Sequence, residues 1–206
     1  MANVNAPRGL TPVANFSGAP YNGSINQYYH AADNSQAVYV GDLVTATGAS
    51  TMVNMGGIVI PLANVTQSAT GDVCQGVCVG VIAVSGSIRD SAIYAAASTG
   101  TIVLVADDPN ILCLAQDVNS GTPLTSNDIQ KNINVLVNQG STFTGMSGMV
   151  LNNGTEDDTN TLDLKLVGQW LVPNNDLGSS VSSGAAAGQW LVKLNRHRYA
   201  NQIAGV

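Results

Sequence analysis

Gly71-Asp72-Val73-Cys74-Gln75-Gly76-Val77-Cys78-Val79-Gly80-Val81-Ile82-Ala83-Val84 is the stretch on which the fold class turns. It is too apolar for a surface loop, and its Val and Ile residues favour an extended chain. Gly76 and Gly80 weaken a helical reading, at roughly 1 kcal/mol each relative to Ala. No charge falls between Asp72 and Arg89, so a strand here is expected to be buried on both faces in the middle of a sheet. Segments of the same style flank it: Val38–Thr45 before, Gly100–Ala106 and Ile111–Val118 after. The expected fold is therefore all-β, a barrel or sandwich of short strands. Its core unit covers residues 38–120, with an extended N-terminal arm over 1–37 and a second β-rich region with long loops and a C-terminal strand over 121–206.

Composition supports that class. Of 206 residues only 10% are charged, and 12 of the 13 acidic residues are Asp, Glu156 being the exception. With three lysines as well, the charged residues that favour helices are nearly absent, whereas turn formers are plentiful. The net charge of −6 argues against a nucleic-acid partner, since phosphate binding is driven by Lys and Arg. No run of 18 apolar residues occurs, and the N-terminus lacks a basic region followed by an apolar one, so neither a membrane span nor a signal peptide is expected. Three cysteines, an odd number, suit reduced thiols in a cytosolic assembly environment.

Working outward towards the N-terminus, residues 1–37 hold Pro7, Pro12 and Pro20, one cation, one anion, and Phe16, Tyr21, Tyr28 and Tyr29. Disordered tails are usually charged and poor in aromatics, so an arm that buries its aromatics on a neighbour is the preferred reading. Stretched out, it would reach on the order of 120 Å. Towards the C-terminus, Asp107-Asp108-Pro109-Asn110 reads as the tight turn of a hairpin between Thr101–Ala106 and Ile111–Ala115. Gly56-Gly57 marks another turn, and Ser85-Gly86-Ser87 a third. Leu124–Val137 fits a short helix (Ile129, Ile133 and Val137, capped by Ser126 or Asn127) and equally an alternating strand. Gly140–Gly148 reads as a loop. Leu162–Leu166 alternates as a strand. Gly168-Gln169-Trp170-Leu171-Val172 recurs as Gly188-Gln189-Trp190-Leu191-Val192, which suggests two strands of similar environment joined by a loop over 173–187.

Little in the chain points to catalysis. His30 and His197 have no cysteine or carboxylate at ligand spacing beside them. Cys74 and Cys78 would share one face of a strand about 13 Å apart, beyond disulfide reach, and are read as buried and inert. Asp107 and Asp108 are better explained by the turn before Pro109 than as a carboxylate pair, since neighbours in a strand face opposite ways. Glu156-Asp157-Asp158 could be imagined to hold a calcium ion but does not match the spacing of a calcium loop. No catalytic residue, cofactor or metal site is expected.

Three groups of residues carry a resemblance. They are Ala6-Pro7-Arg8-Gly9-Leu10-Thr11-Pro12-Val13 with Ser17–Gly23, then Tyr39–Val44 and Val105–Asn110, and finally Leu164–Gly168, Pro173–Gly178 and Val192–Tyr199. Together they resemble a family of tailed-bacteriophage virion structural proteins over most of the chain. The resemblance implies a non-enzymatic head cement or decoration protein, assembled in the host cytoplasm and bound to the capsid exterior. Its implied partners are the major capsid protein and itself, as a homotrimer, with no nucleic acid and no membrane. On that reading Phe16, Tyr21, Tyr28 and Tyr29 would anchor the arm to the capsid, and deletion of residues 1–30 would leave a folded chain that no longer binds. Trp170 and Trp190 are candidates for the subunit interface, with core packing as the other possibility. The alternative function is a tail or receptor-binding component that recognises host-surface carbohydrate.

Overall fold

The computed structural model of the protein describes residues 3–84, 92–118, 122–173, 175 and 187–200. The expected Ser85–Ser87 turn and most of the 173–187 loop lie outside these residues. Among these residues twelve strands follow one another: β1 Thr11–Asn15, β2 Asn26–His30, β3 Leu43–Met55, β4 Ile58–Gln67, β5 Gly76–Ala83, β6 Thr101–Ala106, β7 Ile111–Gln116, β8 Asn132–Ile133, β9 Val135–Leu136, β10 Val150–Leu151, β11 Leu164–Gln169 and β12 Gln189–Leu194. The fold is all-β, with no α-helix among the described residues.

Five strands close a small barrel in the order β2-β4-β3-β5-β6, and five more form a sheet in the order β1-β7-β12-β11-β8. β9 and β10 make a separate two-stranded ribbon. The sheet alternates with period two, so that one face collects the apolar side chains. Ile111, Cys113 and Ala115 of β7, Trp190, Val192 and Leu194 of β12, and Leu164 and Leu166 of β11 are all buried on that face. They pack into one cluster with Leu43, Val77 and Ala106 from the barrel wall, so the main core lies between barrel and sheet. Inside the barrel sits a second cluster built on Tyr28, Val44, Val65, Cys78, Val103 and Val105.

The Gly71–Val84 stretch forms β5 from Gly76 onward, between β3 and β6. Its first half is buried on both faces, as expected of an uncharged central strand, but Ile82 emerges to solvent. Cys74 lies ahead of the strand, in a bridge to His197. It therefore joins the main core while Cys78 faces the barrel interior. The period-two count that put both thiols on one face fails because the strand begins between them.

Residues 1–37 do run extended, and they run along their own chain. β1 forms an edge of the sheet against β7, and β2 pairs with β6 over five residues and with β4 in parallel at Tyr29↔Asn64, which closes the barrel. A second difference concerns the turn at Asp107–Asn110. It forms, with the Ile111 amide donating to the Asp108 carbonyl at 3.1 Å, but β6 pairs inside the barrel and β7 inside the sheet. This is a crossing between layers rather than a hairpin, because both neighbouring positions of each strand are taken by distant segments.

Of the two readings of Leu124–Val137 the strand prevails. Thr125 caps a single 3-10 turn at Ser126–Asp128 through a capping box, and β8 and β9 follow. The repeated pentapeptides are neighbours, Gln169 opposite Trp190, yet their environments differ. Trp190 is fully buried, whereas Trp170 lies past the end of β11 and is half-exposed. A bulge between Leu166 and Gly168 breaks the alternation that would have matched them.

Candidate functional site

The expected site residues do not form one surface. Phe16 is 59% exposed, with the Lys193 ammonium 6.0 Å from its ring centroid. Tyr21 leans on the main core and donates its hydroxyl to the Ser24 carbonyl at 2.9 Å. Tyr29 packs on a third small cluster made by Val53, Leu62 and Ile102. Tyr28 is buried within its own barrel, where it cannot anchor the chain to anything else.

The Tyr28 hydroxyl is instead a structural node. It donates to Asp107 Oδ2 at 2.7 Å, accepts from Gln75 Nε2 at 2.9 Å, and lies 3.2 Å from the Tyr199 hydroxyl. Asn26 Nδ2 also donates to both oxygens of Asp107, at 2.9 and 3.0 Å. Burial and these bonds hold the phenol well above its ordinary pKa. His197, fully buried, accepts from the Tyr199 amide through Nδ1 at 3.1 Å, which leaves the proton of the neutral ring on Nε2. Burial lowers its pKa, opposed by the Asp107 charge. The network ties barrel, layer crossing and C-terminal segment together; its chemistry is that of a clamp, since a buried polar group must find partners. His30 is likewise spent on structure, its ring nitrogens 3.1 Å from the Thr99 carbonyl and 2.7 Å from that of Gln36.

The three thiols are free and buried. Burial pushes Cys74 and Cys78 up to about 12, and Cys113 higher still, which suppresses the thiolate on which cysteine reactivity depends. In the Glu156–Asp158 loop, Asp157 Oδ1 accepts from the amides of Asp158 and Thr159, at 2.5 and 3.3 Å, so this carboxylate serves its own turn.

A second buried carboxylate lies beside the sheet. Asp117 accepts from the Gly188 amide at 2.6 Å, with the Trp190 indole nearby. Burial raises its pKa to about 7, against the lowering effect of these donors. The folded state therefore holds a proton that the unfolded chain releases near 3.8. This contribution is fully present below about pH 4 and is lost as pH rises towards 7. Asp117→Asn should remove the dependence, so the melting temperature of the variant minus that of the parent should climb between pH 4.5 and pH 8. A difference that stays flat would contradict the assignment.

Two places on the described surface offer uncharged apolar area close to turns. The first is the β3–β4 ribbon. Gly56 and Gly57, both at positive φ (62° and 98°), make the two-residue turn between Met55 and Ile58. Cross-strand register places Val53 and Ile60 on one face with the third cluster, and Met52, Asn54, Val59 and Pro61 on the other. Met52 is 66% exposed, Val59 52% and Ile58, at the tip, 69%. No charged residue occurs from Leu43 to Gly71. Among the described residues, β3 beyond Val44 pairs only with β4, and the inner face of this ribbon packs on Ile102 and Tyr29 while its outer face is free of strand partners.

The second place is the turn at Ser141–Met146. Its backbone is closed by Ser141 N to Met146 O at 2.9 Å and Gly145 N to Ser141 O at 2.8 Å. Val40 N to Gly145 O and Ser147 N to Val40 O, both 2.9 Å, tie it to the body. Gly145 has φ 72°, and a Cβ there would meet the Ile93 carbonyl oxygen at 2.3 Å, so only glycine fits. Phe143 stands on this turn 91% exposed, with Ile93 and Met146 also exposed. Sequence reasoning passed over Phe143; its signal was a lone aromatic in an uncharged Gly/Ser/Thr stretch.

Comparison with protein-family models, with curated proteins and with solved structures finds no match for this chain.

Proposed function

We propose that the chain is a non-enzymatic structural component of a tailed-bacteriophage virion, of the head cement or decoration type. On this reading it docks on the outer face of the major capsid protein lattice, as a homotrimer, and braces the head. The sequence resemblance supplies the class, and the exposed face of the β3–β4 ribbon is the observation that carries the docking. Side chains the size of Met52 and Val59 each gain about 1.5–3 kcal/mol on full burial, and no charge on this limb has to be desolvated. Contiguous exposed apolar surface of this kind marks interaction sites. Several such contacts, repeated by symmetry, give an attachment stronger than any one of them.

Heads assembled from the major capsid protein of the same virion provide the test. The double variant Met52→Lys, Val59→Lys should melt with the parent, because both positions face solvent, and should bind heads at least about tenfold more weakly by co-sedimentation. Binding as tight as that of the parent would overturn the ribbon as docking face. Failure of the parent itself to bind heads would overturn the cement reading.

A further inference from the structure

We infer that Phe143 is the knob of a contact between copies of this chain, and that it seats in a groove beside it on the neighbouring copy. The inference rests on the self-association in the reading above and adds the residues that make it. Two adjoining hollows of about 430 and 490 Å³ share Gln36, Gln67 and Val137, and Tyr39, Ala97 and Gln139 complete the groove. Both hollows are open to solvent, and each is large enough to admit a phenyl ring. Knob and groove are neighbours. The groove ends at Gln139, the turn begins at Ser141, and a Cβ on Gly140 would lie 2.3 Å from the Tyr39 ring. Tyr39 is itself held by stacking on Tyr94, centroids 4.9 Å apart and planes 11° from parallel.

Three features select a second copy as the occupant. A projection and a hollow side by side put both halves of one contact on a single chain, so a rotation between copies can seat each knob in the next groove. Neither the groove lining nor residues 139–149 contain a charge. On a chain of net charge −6, such a face lets copies approach without bringing like charges together. Finally, the turn is rigid through its own hydrogen bonds, so Phe143 loses little freedom on docking, the situation in which an aromatic anchor binds best.

The full-length chain provides the test, because the three native thiols are buried and an introduced surface cysteine can be addressed alone. Light scattering after size-exclusion should show a closed oligomer for the parent. Phe143→Ala and Ala97→Lys should each raise the concentration for half-dissociation at least about tenfold, with an unchanged melting profile. Mixed under mild oxidation, Phe143→Cys and Ala97→Cys chains should form one disulfide-linked species between unlike variants. A monomeric parent, an oligomer indifferent to Phe143→Ala, or links only between like variants would each overturn the contact. Head binding by a monomeric parent would overturn the contact and leave the capsid role standing.

Discussion

Deleting residues 1–30 should leave a chain with no cooperative thermal transition and weak strand signal in circular dichroism. The cut removes β1 from the edge of the sheet and β2 from the barrel. Without β2, the long edge of β6 and the Asn64 end of β4 lose their partner and the barrel opens. The loss of Tyr28 strands Asp107 and Gln75, both buried, and each unsatisfied buried group costs about 1–3 kcal/mol. Leu10, buried in the main core, goes as well. Together these losses approach or exceed the 5–15 kcal/mol that typically separates folded from unfolded states. The expectation from the capsid-arm reading was the opposite, a folded protein deficient only in docking. A truncated chain that melts cooperatively near the parent temperature would show that β2 is not part of the barrel.

Trp190→Ala should cost about 3–5 kcal/mol, the range for removing a large aromatic from a core. Trp190 is fully buried on β12 between β7 and β11, at the centre of the inner face of the sheet. For a domain of this size that corresponds to a fall in melting temperature of roughly 6–20 °C. Trp170→Ala, in the matching position of the repeated pentapeptide, should cost clearly less, because Trp170 lies past the end of β11 and is only partly buried. Denaturant midpoints of the two variants measure the contrast. Equal costs would mean that the two tryptophans share an environment after all.

How far the sequence reached depended on the range of the interactions involved. Local signals held: alternation marked β11, apolar segments marked β5, β6 and β7, the repeated pentapeptide marked β12, Gly56-Gly57 marked its turn, and Cys74 and Cys78 were read as buried. Choices of partner were not legible. Asp107-Asp108-Pro109-Asn110 is the same turn chemistry whether the flanking strands pair or part, and only β2, β5, β1 and β12 decide that they part. The aromatics of residues 16–29 signalled burial without naming the surface, and Tyr28 found it within its own chain. Phe143 was passed over because exposure, unlike burial, leaves no periodic trace, and a lone aromatic in an uncharged stretch was its one signal.

The order of strands in the sheet also sets a timetable for synthesis. β12, the latest in the chain, lies at the centre, with β7 and β1 on one side and β11 and β8 on the other. Until about residue 194 has left the ribosome, β7 and β11 have no shared neighbour and the main core has no Trp190. Emerging chains therefore carry the open edge of β7 from Gln116 onward, joined by that of β11 from Gln169 onward, until β12 is made, a period in which sticking to one another competes with folding. Closure is a late event dominated by pairings distant in sequence, so refolding in the millisecond-to-second range or slower is expected. Expression at reduced temperature should raise the soluble yield.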